Sequence, residues 1–478
     1  MPAEPVSHAV PVDLSRPRRI HVVAVGGAGM SGIATVLAEA GHTVSGSDAA
    51  DSPVLQRLAA IGVRAVVGHD PAHVGDAEFV VASTAVADDN PELAEARRRG
   101  IPVLRRLDLL PALARRQPFV SVAGTHGKTT TSALLTVALK GAGEDPSYLV
   151  GAPVRSLGGA AAHRPGRWFV LEADESDGSF LAGPRAAALV TNLEPDHLEH
   201  WGGWEPLRDG FRRFLEETAG PRVLCGDDTE AARLARELAE TGAHPAPVTY
   251  GCGDGADWRI VDEHLGAGGS RFTLEGPSGA VVVELPLPGH HNALDAAGAL
   301  AVVGELGGDV AAAARALGSF GGVARRFEER GRAGGVTVVD DYAHLPTEVR
   351  AVLAAGRSGG WRRVVAVFQP HRYSRTQALW REFADAFDDA DLLVLTELYA
   401  AGEPPRPGVS GKLVLDAVLE RHPWRRVAWM PSLDDVVTYL GAELRHGDLC
   451  LTIGAGDVTT VGDRVLEILA GREREHRR

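Results

Sequence analysis

The run Gly124-Thr125-His126-Gly127-Lys128-Thr129-Thr130 carries the strongest chemical signal in this chain. It follows a β-branched stretch, Phe119–Ala123, and opens a helical pattern over Thr129–Gly141. Glycines at such a junction let backbone N–H groups close around phosphate oxygens at a helix N-terminus, where the helix dipole favours negative charge. Lys128 can then reach the β- and γ-phosphates, and the Thr129 hydroxyl can ligate Mg²⁺. The loop is shorter than the usual phosphate-binding motif, because Val122 stands where that pattern asks for glycine. These residue types predict a nucleoside triphosphate site, with ATP as the substrate.

A second glycine loop lies earlier. Gly27-Ala28-Gly29-Met30-Ser31-Gly32 matches G-x-G-x-x-G after a strand, and Asp48 ends the next strand, where a dinucleotide-binding domain holds ribose. NAD, ligand-free strand–helix packing, and another diphosphate such as a UDP-sugar all fit that pattern. Two acidic turns follow strands of the middle segment: Glu172-Ala173-Asp174-Glu175-Ser176-Asp177 and Asn192-Leu193-Glu194-Pro195-Asp196-His197. Ligand chemistry in open α/β sheets gathers at such strand ends, and carboxylate oxygens suit Mg²⁺. Asp and Pro also make ordinary turns and caps. Beside the phosphate loop, Glu172 and His197 are the stronger metal candidates. Near the C-terminus, Asp340-Asp341-Tyr342-Ala343-His344 and Gln369-Pro370-His371-Arg372-Tyr373-Ser374-Arg375 each follow a strand, and the two arginines could grip a carboxylate. Arg97-Arg98-Arg99 reads as a charged helix end.

The elements that must position these groups alternate. Strands are expected at 19–25, 43–48, 64–67, 79–82 and 103–104, then at 119–123, 168–172 and 188–191, with an antiparallel insert over 257–285. Further strands at 337–339, 364–368, 392–395 and 449–453 alternate with helices. A basic, proline-marked stretch from Pro111 to Pro118 reads as an inter-domain connection. The fold class is therefore α/β, in three domains, which suits 478 residues. A net charge of −14 argues against nucleic acid or an anionic membrane as partner. Cys225, Cys252 and Cys450 stand far apart, without a metal or disulfide spacing. The first 17 residues lack a signal-peptide pattern and are expected to be flexible, no segment is apolar enough to span a bilayer, and the tail from Gly471 is a charge run. A cytoplasmic protein is expected.

Taken in order, these runs resemble the Mur ligase family. The resemblance is carried by His21–Ala34, Gly124–Thr131, Glu172–Phe180, Asn192–His197, Gly289–Asn292, Asp340–Glu348 and Phe368–Thr376, and it spans about Ile20 to Gly456. It implies a flexible N-terminus (1–17), a Rossmann-like UDP-sugar domain (18–117), a P-loop ATPase-like central domain (118–324) and a Rossmann-like C-terminal domain (325–478). The first loop, Gly26 to Ser31 through Gly27, Ala28, Gly29 and Met30, would hold a uridine diphosphate and not NAD, helped by Asp48, His69, Ser83 and Thr84. Gly124 to Thr130 would bind ATP. Lys128 would contact the terminal phosphates, Thr129 and Glu172 one Mg²⁺, and His197 a second. Asn292 would approach adenine, and Arg326 and Asp341 would contact the nucleotide. Arg372 and Arg375 would bind the alanine carboxylate, in a pocket lined by Tyr342, His344 and His371.

The implied activity joins L-alanine to the lactyl carboxylate of UDP-N-acetylmuramate at the expense of ATP, through an acyl phosphate, by a monomer or homodimer. His344 and Asp341 are candidates for the base that frees the amine. Two departures stand out: Asp295 replaces an asparagine of the family pattern, and Leu345 replaces a histidine. The rivals are a ligase attaching a ready-made peptide to the same UDP-sugar and, from another class, an NAD-dependent oxidoreductase.

Overall fold

Short apolar runs between amphipathic stretches build three sheets flanked by helices. The computed structural model describes residues 12–83 and 85–476. Thr84, residues 1–11 and the last two residues of the charged tail lie outside the described residues. Two compact units emerge: Met1–Val261, Thr273–Val283 and Leu294–Phe320 form one, and Asp262–Phe272, Glu284–Ala293 and Gly321–Arg478 the other.

In the first unit, five strands lie in the order Arg64–Val67, Thr43–Asp48, Arg19–Val23, Phe79–Ala82, Val103–Arg105. All four neighbouring pairs are parallel. The chain reverses direction of travel across the sheet between the third and fourth of these, which opens a crevice at the strands' C-terminal ends. The loop at Gly26, then Asp48, His69 and Ser83, all sit at or just beyond those ends. Gly32 does something else. A methyl placed on it would lie 2.3 Å from Leu149 Cδ1, so helix Ala28–Glu39 beds there against the antiparallel pair Ser147–Val154 and Gly159–Ala162. Val12 and Leu14 are buried in the same core as Leu110 and Leu113, and their carbonyls accept from Arg115 and Arg116.

The stretch Pro111–Pro118, expected as an inter-domain connection, is largely helical and joins the strand Val103–Arg105 to the strand Phe119–Ala123. Helix Arg106–Arg116 runs through Pro111 and buries Leu109, Leu110 and Leu113. An internal proline costs about 3 kcal/mol, whereas each buried leucine returns roughly 1.5–3 kcal/mol. Tertiary packing overrides the local break.

The sheet that carries the phosphate loop places Phe119–Ala123 between Arg185–Val190 and Phe169–Glu172, parallel to both. Three strands, Trp258–Gly266, Gly269–Gly276 and Gly279–Leu285, form the expected insert, and their two-residue connections make them antiparallel hairpins. The boundary between the two units passes through this insert. In the second unit, six strands run in the order Glu328–Ala333, Val336–Asp341, Asp448–Ile453, Arg363–Phe368, Leu392–Leu395, Val427–Trp429. Only the first pair is antiparallel. Among the described residues, no helix is long and apolar enough to cross a membrane.

Candidate active site

The phosphate loop is fixed from behind. Gly124 adopts φ +136°, and a methyl on it would lie 2.0 Å from Thr191 Oγ1, so both conformation and space require glycine. The strand-end run Thr191–Glu194 grips the loop. Thr191 Oγ1 donates to the His126 carbonyl at 2.6 Å, the Asn192 side chain accepts from the His126 N–H at 2.8 Å, and Glu194 N–H donates to Thr125 Oγ1 at 2.8 Å. His126 Nε2 stands 3.0 Å from Glu194 Oε2. This acidic turn therefore serves first as scaffold. Thr130 is buried on the helix that begins at Lys128, whose N-cap is Gly127.

Lys128 Nζ donates to the Gly124 carbonyl at 2.7 Å and to Glu175 Oε1 at 2.8 Å. Burial opposes its charge, but Glu175, Asp174 and Glu172 outweigh that and hold its pKa above the ordinary lysine value. The ammonium is thus present at neutral pH. Thr129 Oγ1 donates to Glu172 Oε1 at 2.9 Å, so the two proposed ligands of one metal stand together. A hydroxyl and a carboxylate oxygen match the hard, oxygen-rich coordination of Mg²⁺, which takes its other ligands from water and phosphate. His197 is placed differently. Its backbone sits at φ +53° and its imidazole pairs with Asp196 at 3.3 Å, not with Thr129 or Glu172. Asp295, the first departure, stands behind the loop: a methyl on Gly127 would lie 2.7 Å from its Oδ1.

The first-domain crevice gathers its candidates around carboxylates. Gly26 N–H donates to Asp48 Oδ2 at 2.8 Å, leaving the acid facing the glycine loop. Met30 is buried in the core, so only its backbone can serve a ligand. Ser83 Oγ accepts from Ala85 N–H at 3.3 Å, and the Ser83 carbonyl accepts from Arg105. His69 Nδ1 lies 3.1 Å from Glu92, a carboxylate with no solvent exposure. Two residues here carried no sequence signal. One is Glu92, whose place in the first turn of a helix looks like ordinary capping. The other is Arg106: a methyl on Gly29 would lie 3.1 Å from its Nη1, and its charge helps lower the Asp174 pKa against the opposing effect of burial. It is a cation beside the glycine loop, with its field felt at the acidic turn of the phosphate site.

In the second unit, Arg326 is held between two residues of unusual backbone, Arg325 (φ +58°) and Phe327 (φ +43°). Such angles are costly for large side chains and concentrate at functional sites. Hydrogen bonds stabilise them: Arg325 N–H donates to Glu328 and Phe327 N–H to Asp341. The Arg326 guanidinium lies 5.3 Å from the Tyr342 ring centroid. Asp341 is buried, accepts N–H bonds from Phe327 and Ala343, and has its pKa pushed by burial up to about 6. His344 Nδ1 is 3.0 Å from the Tyr342 carbonyl, which fixes the proton on Nδ1 and leaves Nε2 as acceptor. Burial lowers the His344 pKa, so the ring is neutral at physiological pH.

His371 is its neighbour, 5.9 Å away between ring centroids, and it accepts from Arg375 Nη1 at 3.1 Å. Burial, helped by His344, Arg375 and Arg372, lowers the His371 pKa to about 4. Arg372 adopts φ +65°, and its buried Nε has no hydrogen-bond partner. Tyr342, His344, His371 and Arg375 thus form one linked group of rings and a cation. Leu345 is buried beside it, capping a helix with its N–H on Glu348. The Asn292 amide donates to the Pro288 carbonyl at 2.7 Å.

Three family models match consecutive parts of the chain: "Mur ligase family, catalytic domain" over residues 19–118, "Mur ligase middle domain" over 122–303 and "Mur ligase, glutamate ligase domain" over 325–456. The chain is 48% identical to the UDP-N-acetylmuramate–L-alanine ligase of Kineococcus radiotolerans, across 96% of this chain and 98% of that protein. It is 46% identical to the enzyme of the same name from Paenarthrobacter aurescens, across 95% and 97%. Its fold is similar to the crystal structure of the UDP-N-acetylmuramate–alanine ligase of Thermotoga maritima, with TM-score 0.78 and 28% identity over 96% of this chain and 100% of that one. A murein peptide ligase from Psychrobacter arcticus is similar in fold, with TM-score 0.68 and 24% identity over 95% and 99%.

Proposed function

Since the chain belongs to the Mur ligase family, we propose that it joins L-alanine to the lactyl carboxylate of UDP-N-acetylmuramate, consuming ATP and releasing ADP and phosphate. The observation that carries this reading is near-complete coverage by relatives of that name, at 48% and 46% identity, on a chain that retains Lys128 and the Thr129–Glu172 pair.

A carboxylate oxygen is a poor leaving group, so the acid must be activated before an amine can attack it. Lys128, charged and aimed into the phosphate loop, supplies positive charge to the terminal phosphates as the γ-phosphoryl group moves to the lactyl carboxylate. Mg²⁺ bound by Thr129 and Glu172 would neutralise further phosphate charge. The alanine amine then attacks the acyl carbon and phosphate departs. Arg372 and Arg375 orient alanine through its carboxylate. His344 offers an unprotonated Nε2 and is the better base for the ammonium proton than Asp341, whose two oxygens already accept backbone N–H bonds. His197 at a second Mg²⁺, Asn292 near adenine, Arg326 and Asp341 on the nucleotide, the UDP-sugar contacts, and domain limits at 117 and 324 belong to the same proposal.

The test is phosphate release from ATP with UDP-N-acetylmuramate, offered L-alanine, glycine, L-serine or a tripeptide. Release that needs the UDP-sugar and prefers L-alanine is expected. Preference for the tripeptide would move the assignment to peptide ligation. Nothing observed favours the oxidoreductase, which leaves Lys128 and Glu172 without a task.

A further inference from the structure

Glu92 is a fully buried carboxylate that the mechanism above does not use. It lies at the start of helix Pro91–Arg98, and groups from three other elements converge on it. Ser47 Oγ donates to its Oε2 at 2.5 Å, and His69 Nδ1 stands 3.1 Å from the same oxygen. His73 Nδ1 lies 3.0 Å from Oε1, and Asp70 N–H donates there at 3.4 Å. His21 Nε2 approaches to 3.7 Å, beyond hydrogen-bond reach. Three imidazoles and a carboxylate suggest a metal centre, yet among the described residues no three donors of this group lie within 4.8 Å of one another. The carboxylate separates the rings instead of sharing an ion with them.

Burial alone would raise the Glu92 pKa, but the surrounding donors outweigh it and hold it at about 2. An ionised carboxylate only accepts hydrogen bonds, so each imidazole nitrogen facing it carries a proton. For a neutral ring, the other nitrogen is then an acceptor. His69 follows strand Arg64–Val67, and Ser47 precedes Asp48, so this arrangement backs the crevice wall beside the glycine loop. The His69 side chain is partly exposed.

We propose that Glu92 is a positioning residue for nucleotide recognition: it holds His69 with its proton on Nδ1, so that Nε2 accepts a hydrogen bond from a donor group of the uridine moiety. The inference rests on the reading of this crevice as the UDP-sugar site. Removing the acceptor behind the ring frees its tautomer, and the ligand then loses a preorganised partner.

The test uses the full chain labelled with ¹⁵N-histidine, with His69 assigned from the H69Q spectrum and UDP as the probe. The wild-type ring is expected in the Nδ1–H form. Glu92→Gln is expected to mix the tautomers and weaken UDP about tenfold, equivalent to about 1.4 kcal/mol, while ADP affinity at the phosphate loop is unchanged. Wild-type His69 protonated on Nε2 overturns the proposal without recourse to any variant that must fold. Tight UDP binding that needs His69 but is the same in E92Q overturns the proposal alone. Failure of the wild type to bind UDP overturns both the proposal and the crevice reading.

Discussion

The two glycine loops share one local plan, strand then glycines then helix, but the charges behind them differ. Gly124–Thr130 carries its own lysine, Lys128, whose ammonium is balanced from behind by Glu175, Asp174 and Glu172. Behind Gly26–Ser31 stands Asp48, hydrogen-bonded to the loop's own N–H, and then the Glu92 cluster of imidazoles. The first arrangement suits a polyanion carried with a cation. The second offers a carboxylate and a ring acceptor, which suit hydroxyl and N–H donors of a nucleoside, with Arg106 as the nearby positive charge. Matching motifs do not imply matching ligands; the groups one layer behind decide.

Each part of this contrast can be broken. Chelation of Mg²⁺ with EDTA is expected to abolish phosphate release while leaving UDP affinity, measured by calorimetry, unchanged. Loss of UDP binding as well would mean the loops are not independent in charge. Lys128→Ala is expected to lower phosphate release by roughly 10³-fold, again sparing UDP, and normal turnover would sink the assignment of the loop. Asp48→Asn keeps the side chain's size and one acceptor, so a weakening of UDP by about tenfold is expected, with ADP affinity held.

The smallest effect is on stability and pH. Glu92 has a folded pKa of about 2, below the ordinary 4.5, so its contribution is present above pH 4.5 and lost as pH falls towards 2. Burial instead raises the Glu175 pKa despite Lys128, so its contribution is present below pH 4.5 and lost as pH rises through the shifted value. Urea melts should therefore show the wild type exceeding E92Q by a margin that narrows in acid. For Glu175→Gln, the variant should gain on the wild type as pH rises. Parallel profiles would erase the distinction between the two buried acids.

Much of the fold was legible because it is written in local periodicity. Thr43–Asp48, Arg64–Val67, Phe79–Ala82, Phe119–Ala123 and Leu392–Leu395 fall where the apolar runs predict. The helix through Pro111 was not, since the leucines that outweigh the proline find their partners only after folding. Among site residues, the Lys128 loop and the Thr129–Glu172 pair follow from motif and strand-end position. Glu92 and Glu175 do not: a glutamate beside Pro91, or within an acidic turn, looks like a solvated residue until its partners arrive from elsewhere in the chain. The backbone of Arg325 and Phe327 was equally hidden, because nothing in those residue types announces φ > 0.

Gly32 carries a consequence for engineering. The glycine-loop helix of the first sheet sits directly on Leu149 and Ala161 of the neighbouring hairpin, with no room for a methyl. The first α/β module is thus not an interchangeable cassette. A chimaera that imports another such module must bring glycine to this position, or trim Leu149 to match, so Gly32 and Leu149 will tolerate exchange only as a pair.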